Sequence, residues 1–299
     1  MNNNFSQDFQ RVNPIKLKHI HKNIHLNSKF RDDYYNTSSS NFKYTFSNNL
    51  ENVVSLELSS ISIPDSWYLF SEGNNKFTIT ITDTSSSIID VVISEGNYTA
   101  SQLEEYLNNK YFWNSNTDLK FIKFSINANS MKSCFDVSKN DVNGNSIPSN
   151  TKFNISFVDE NTNNLMLNVG WILGFRHGKY LNLKDIKCVS EGVFDDGGNR
   201  YLYLCLKDYN KNVSNSNIVY FDDTTMRNDV LAKIYLIDGV FSMRRDDNPF
   251  DYSKKREYFG PISFEKFEIQ LVDQYGKQIN LNNMDFSFSL ELKQIYNNF

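Results

Sequence analysis

Alanine is almost missing from this sequence, which places it only at Ala100, Ala128 and Ala232. The best helix former is thus nearly unused, and the abundant Asn, Ser and Asp favour turns and caps over helix interiors. Few helices can be built from that mixture. Cysteine is equally sparse. Cys134, Cys188 and Cys205 form no C-x-x-C pair and are odd in number, so they read as reduced core thiols and not as a disulfide framework. No apolar run approaches the about 18 residues of a membrane helix. The opening MNNNFSQDFQ lacks the apolar centre of a signal peptide, so the chain reads as made and used in the cytosol.

The motifs of common chemistries are missing as well. There is no G-x-S-x-G, no P-loop, no G-x-G-x-x-G and no H-E-x-x-H. Of four histidines, His19, His21 and His25 lie near the N-terminus and His177 stands alone. An H-x-H pair can bind zinc, but no cysteine or third ligand has matching spacing. Asp141, Asn143 and Asn145 superficially resemble a calcium loop, yet the glycine falls at the fourth place and the acid at the twelfth is lacking. No catalytic, cofactor-binding or metal-binding residue is assigned, and an enzyme is not expected. It would need a pocket gathering His177 with an acid or a thiol.

What is present favours strands. Phe and Tyr number 24 and 17, and aromatic and β-branched residues suit a half-buried pleated surface. In the stretch Phe42 to Tyr68, Phe42, Tyr44 and Phe46 alternate with polar residues, and after a Ser-Asn-Asn break Val54, Leu56 and Leu58 alternate again. The phase then slips by one to Ile61 and Ile63. A slip would turn the later side chains to the wrong face, so the spacing predicts a β-bulge at Ser59–Ser60. Pro64, without an N–H, should end that ladder.

Similar alternation marks a hairpin over Phe77–Ile81 and Ile89–Ile93, and strands around Phe124, Phe153, Leu204, Phe267 and Phe288. One helix stands out, at about 99–109, with Thr99 as N-cap and Gln102 completing a capping box. The run LMLNVGWILGF at 165–175 can be a strand or a helical turn, with close backbone packing expected at Gly170 and Gly174. First and last strands of Greek-key sandwiches often lie side by side, which pairs the 50s strand with the 280s strand.

The fold expected is mainly β: a jelly-roll-like antiparallel β-sandwich with one short helix, loop insertions and an extended N-terminal arm. The division expected is an arm at 1–41 and a sandwich body at 42–299, with insertions around 127–150 and 176–260. From Arg11 to Arg31 there are six Lys or Arg and no acid, so that segment carries +6 and the rest of the chain −10 to reach −4 overall. Ile15 and Leu17 alternate with lysines, a pattern suited to strand addition onto a sheet edge. Such an arm can serve a protein partner or the protein's own body, lie on nucleic acid or an anionic membrane, or be a solvated tail.

Five segments in this order, HLNSKFRDDYYNTSSSNFKYTF at 25–46, NVVSLELSSISIPDSWY at 52–68, EGNYTASQLEEYLN at 95–108, GWILGFR at 170–176 and DFSFSLEL at 285–292, resemble virion proteins of nucleocytoplasmic large DNA viruses. The similarity is to the minor capsid or penton-like proteins of mimivirus relatives, and it spans nearly the whole chain from residue 25. It implies a structural virion protein, synthesised in the host cytoplasm, that self-assembles and contacts the major capsid protein and neighbouring minor capsid proteins. A pentamer closing the capsid vertices is one form this takes, and no cofactor is implied. The candidate assembly residues are Ile15, Leu17, Ile20, Ile24 and Leu26 with Lys29 and Arg31. Deleting residues 1–30 should leave a folded body that assembles poorly. The rival reading is a β-sandwich binding module whose exposed aromatics, such as Trp67, Tyr68 or Trp113, grip a carbohydrate or host receptor.

Overall fold

A computed structural model describes residues 18–82, 87–146, 152–158, 164–183, 187–211, 213–214, 217–221, 226–236, 243–246 and 254–296. It divides into two compact units, residues 1–65 with 201–299, and residues 66–200.

The first unit begins with strands β1 (Lys18–Asn27) and β2 (Asn41–Pro64). The second unit follows with β3 (Lys76–Thr82), β4 (Ser87–Val92), helix α1 (Ala100–Lys110), β5 (Ile122–Ile126), β6 (Ser133–Val137) and β7 (Lys152–Ser156). Helix α2 (Val169–Ile172) and strands β8 (Lys179–Leu183) and β9 (Cys188–Val189) complete it. The chain then returns to the first unit through β10 (Tyr201–Lys207), β11 (Val213–Ser214), β12 (Val219–Tyr220), β13 (Met226–Arg227) and β14 (Val230–Tyr235). Strands β15 (Met243–Asp246), β16 (Lys255–Val272) and β17 (Ser287–Tyr296) end it.

The first unit is built on one antiparallel sheet in the order β1-β17-β2-β16-β10-β14, with β11 added to β16 and β15 to β2. Strand β2 is continuous where the sequence suggested two strands. The Ser-Asn-Asn break lies inside it, where the register against β16 jumps between Lys266↔Thr45 and Phe264↔Leu50, and Asn52 takes a positive φ of 57°. The extra residues bend the strand without ending it. Ser59 is the bulge predicted: Ser289 faces Ser60 and Leu290 faces Leu58, leaving Ser59 unpaired and returning Ile61 and Ile63 to the buried side. The 50s and 280s segments pair as expected, Leu56 opposite Leu292.

The bend decides the architecture. Phe42, near the start of β2, has its ring 6.0 Å from Phe286, which precedes the residue paired with Ser62 near the strand's end. Twenty residues of straight strand would separate those ends by about 66 Å. The sheet therefore doubles over, burying Phe42, Leu56, Phe264, Phe267, Phe288 and Leu290 between its layers. This is the mainly β antiparallel sandwich that composition and periodicity call for.

The second unit holds the sheet β4-β3-β7-β8 and a three-stranded sheet β5-β6-β9 around a Phe-rich core. Helix α1 is capped as read, Thr99 accepting from Gln102 N while the Gln102 side chain accepts from Thr99 N. It also shields the open edge of β5. Asn108 bonds Phe124 on both sides, donating to its carbonyl at 2.8 Å and accepting its N–H at 3.0 Å, and Glu104 accepts Ile126 N at 3.0 Å. Two side chains one turn apart thus replace a neighbouring strand. The ambiguous run at 165–175 is helical turns, and a Cβ on Gly170 would lie 2.5 Å from the Phe157 ring.

The units divide the chain differently from the expected body and insertions. Residues 66–200 form the compact second unit, whereas β10 and β14, within the expected 176–260 insertion, are strands of the main sheet of the first. Such a division depends on long-range pairing, which local pattern does not report. Among the described residues, no helix is long and apolar enough to cross a membrane.

Candidate assembly interface

Much of the segment expected to be an arm is built into the sheet. Strand β1 pairs with β17 over ten residues, from Lys18↔Tyr296 to Asn27↔Ser287, and is the edge strand on that side. Its inward positions follow the core only part way. Leu26 is buried and Ile24 half-buried, but Ile20 is 38% exposed and Lys22 is exposed. Apolar cover therefore runs out toward Lys18 while the backbone pairing continues. The other face carries His19, His21 and His25, all exposed. His21 Nδ1 pairs with Glu291 Oε1, and His25 Nδ1 lies 2.7 Å from Ser289 Oγ. Among the described residues no strand pairs with the outer edge of β1, whose backbone N–H and C=O groups are flanked by Lys18 and Lys22, charges that discourage indiscriminate strand pairing.

Beyond β1 the chain is knotted to the start of β17. Ser28 N donates to Phe286 O at 2.9 Å, and Ser28 Oγ donates to Asp285 at 2.8 Å while accepting Phe286 N at 3.0 Å. Arg31 uses all five of its donors. Nε bonds Thr37 Oγ1, one terminal nitrogen bonds Ser28 O and Asp285, and the other bonds the carbonyls of Tyr34 and Thr37. Its guanidinium also lies 3.9 Å from the centre of the Tyr34 ring. The knot pushes aromatic rings outward: Phe30 is 70% exposed and Tyr35 94%.

Of the seven expected assembly residues, Ile15 and Leu17 lie outside the described residues. Leu26 and Arg31 are engaged within the subunit, and Ile20, Ile24 and Lys29 remain along the edge or just beyond it. Phe30 and Tyr35 were not legible as surface residues, because an aromatic in sequence reads equally as core. A deletion ending at residue 30 would strip a sheet strand, whereas one ending at residue 17 stops short of β1.

Other candidate chemistry is held in structural roles. Burial pushes the Cys188 and Cys205 thiols up to about 12, and Cys134 is also raised, first by desolvation and then by Asp136. Such thiols are poor nucleophiles at neutral pH. His177 Nε2 does meet an acid, Glu191, at 3.8 Å. That carboxylate accepts the Tyr180 hydroxyl at 2.6 Å and Arg176 N at 2.9 Å, and the imidazole side chain is 71% exposed. No group of three metal-ligating side chains occurs among the described residues. Trp67 is buried, Trp113 half-buried and Tyr68 38% exposed, so these three rings make no open platform.

No protein-family model matches the chain, and no curated protein matches its sequence. Among solved structures, the crystal structure of SeMet-labeled mavirus penton protein aligns with 93% of this chain and 100% of its own. The TM-score is 0.48 and the identity 11%.

Proposed function

We propose that this chain is a structural virion protein, a capsid subunit of the minor capsid or penton class, acting by self-assembly and by contacts with neighbouring capsid proteins. The observation that carries the reading is the open edge of β1, at the end of a sheet held rigid on its other side by β17. A rigid wall with an exposed, positively charged edge strand is suited to tiling, because backbone pairing gives affinity and flanking side chains choose the partner. The ordered motifs from residue 25 to 292 support the same class.

A cyclic assembly joins two different patches of one subunit head to tail. The segment from Arg11 to Lys29 carries +5 and no acid, against −9 on the rest of the chain, and supplies complementary charge for such a contact. Ile20, Ile24 and Lys29 are the contact residues we favour; Ile15 and Leu17 lie outside the described residues. A contact of the basic segment with nucleic acid or an inner membrane is the secondary use of the same charge.

The test is absolute mass by light scattering, at low and moderate salt, for the full chain and for a chain lacking residues 1–17. A pentamer of the full chain supports the vertex role, and a trimer a different capsomer. Loss of the oligomer with a still-folded truncated chain assigns the contact to residues 1–17, and an oligomer that survives the truncation assigns it to the edge of β1, which the truncated chain keeps. A full-length monomer at both salt concentrations, with or without the major capsid protein added, overturns the proposal.

A further inference from the structure

The solvent-facing side of the sheet beside β1 holds a cavity that assembly through the edge does not use. Its floor is two rungs across three strands. His25, Ser289 and Ser60 form one, and Asn27, Ser287 and Ser62 the next, in register on β1, β17 and β2. Adjacent strands lie about 4.8 Å apart and alternate residues about 7 Å, so the rungs present polar groups on the scale of a single sugar ring. Phe30 and Tyr44 line the same cavity, whose volume is ≈ 460 Å³. Small-ligand sites occupy about 300–1,000 Å³.

Two properties set the ligand's chemistry. The first is charge: no Asp, Glu, Lys or Arg lines the cavity, so nothing there selects an anion or a cation. The second is unused hydrogen-bonding capacity. Among the described residues the hydroxyls of Ser60, Ser62, Ser287 and Tyr44 make no hydrogen bond to another protein group, His25 engages only Nδ1 with one, and Asn27 only its side-chain oxygen. Hydroxyls both donate and accept, and the free nitrogens of Asn27 and His25 add to them. Phe30 holds a large apolar face toward solvent at 70% exposure. An uncharged molecule with many hydroxyls and one apolar face answers all three features. The geometry points to a neutral saccharide, with its ring on Phe30 and its hydroxyls on the serine rungs. This site is separate from the tryptophans considered from sequence, and it does not rest on the assembly reading.

The experiment is saturation-transfer difference NMR on the full chain with glucose, galactose, mannose and N-acetylglucosamine, each at about 10 mM, a concentration suited to the millimolar affinity of single rings. At least one sugar should receive saturation. Phe30→Ala should abolish it, Phe30→Trp should retain it, and Ser60→Ala with Ser287→Ala should weaken binding about 5-fold or more. All three positions are partly or largely exposed, so the variants fold. Light scattering on Phe30→Ala should give the mass of the unaltered chain. No saturation with any of the four sugars, or transfer unchanged by Phe30→Ala, overturns the site. A changed mass in Phe30→Ala also overturns it, by showing that a second copy occupies the groove.

Discussion

Arg31 and Asp285 meet at 3.2 Å although 254 positions separate them in the chain. The pair joins the exit of the first strand to the entry of the last. The Arg31 side chain is only 7% exposed and that of Asp285 26%, so the contact is largely sheltered from water. Arg31→Ala would free the 28–37 segment, take the guanidinium donor from the carbonyls of Tyr34 and Thr37, and cost about 2–3 kcal/mol. Arg31→Lys should recover less than half of that, since a lysine lacks the planar five-donor fork. Urea unfolding of both variants measures it, and equal stability of Arg31→Lys and the unaltered chain would contradict the role given to the fork.

A second buried cation sits at the junction of β10, β14 and β16. Arg256 donates to Asp208 at 2.8 Å, Leu206 O at 2.9 Å and Asp229 O at 3.2 Å, and the Tyr258 hydroxyl donates to Asp208 at 2.6 Å. Asp208→Ala leaves the guanidinium buried without its counter-charge and should cost about 3–5 kcal/mol. Tyr258→Phe removes one bond to a charged acceptor, for about 1.5–3 kcal/mol. The combined variant Asp208→Leu, Arg256→Met, Tyr258→Phe should be more stable than Asp208→Ala alone, because it removes the desolvated charges together. Thermal unfolding of the three ranks them.

Acid should act through Asp141. Burial pushes its carboxyl up, but hydrogen bonds from Asn145 and Asn143 and the charge of Lys120 outweigh burial and hold it below its ordinary value. A carboxyl lowered in the folded chain contributes stability that is fully present above the unfolded value of about 3.9 and is lost as pH falls through the folded value. Asp141→Asn should therefore lower stability at neutral pH and flatten the decline below about pH 4. Unfolding midpoints from about pH 2.5 to 6 test the sign, and an unchanged acid limb would exclude Asp141 as a contributor.

Two glycines should respond unequally to alanine. At Gly170 a Cβ would press on the Phe157 ring, which can shift, so Gly170→Ala should cost about 1–3 kcal/mol. At Gly174 the Cβ would lie 2.6 Å from the Gly192 carbonyl, a backbone atom, and φ is +94°. Gly174→Ala should cost more than Gly170→Ala, adding strain of about 1–3 kcal/mol to the clash. Denaturant midpoints of the pair decide it, and the reverse order would mean the Gly192 backbone yields more readily than a packed ring.

The features legible in sequence were those whose physics is local. The bulge at Ser59 shows because a period of two cannot slip without one. The Thr99–Gln102 box shows because a helix N-terminus leaves donors that only certain side chains at fixed spacing can satisfy. Alternation placed Leu290 and Leu292 on a buried face, and the neighbourhood of first and last strands followed from the topology of Greek keys. The seven assembly residues were chosen on charge and alternation alone. That choice could not separate Leu26, which packs inward, from Ile20, which does not, since both occupy the same phase of one strand.

Strand content, the position of α1 and the inward phase of most strands are thus properties of the chain read locally, because side-chain size, branching and polarity act within a few residues. In β2 the alternation put Val54 in phase with Leu56, whereas a second register break against β17 buries Val53 instead. Tertiary structure alone decided that β2 breaks register between Thr45 and Leu50 and closes Phe42 onto Phe286, and that residues 66–200 gather as a unit of their own. It alone made Arg31 a tie to Asp285 instead of a surface charge, and it set the serines of β2 and β17 into shared rungs. Those outcomes depend on which distant segments pair. Pairing is selected by the summed burial and hydrogen bonding of whole strands, a quantity that no single stretch of sequence contains.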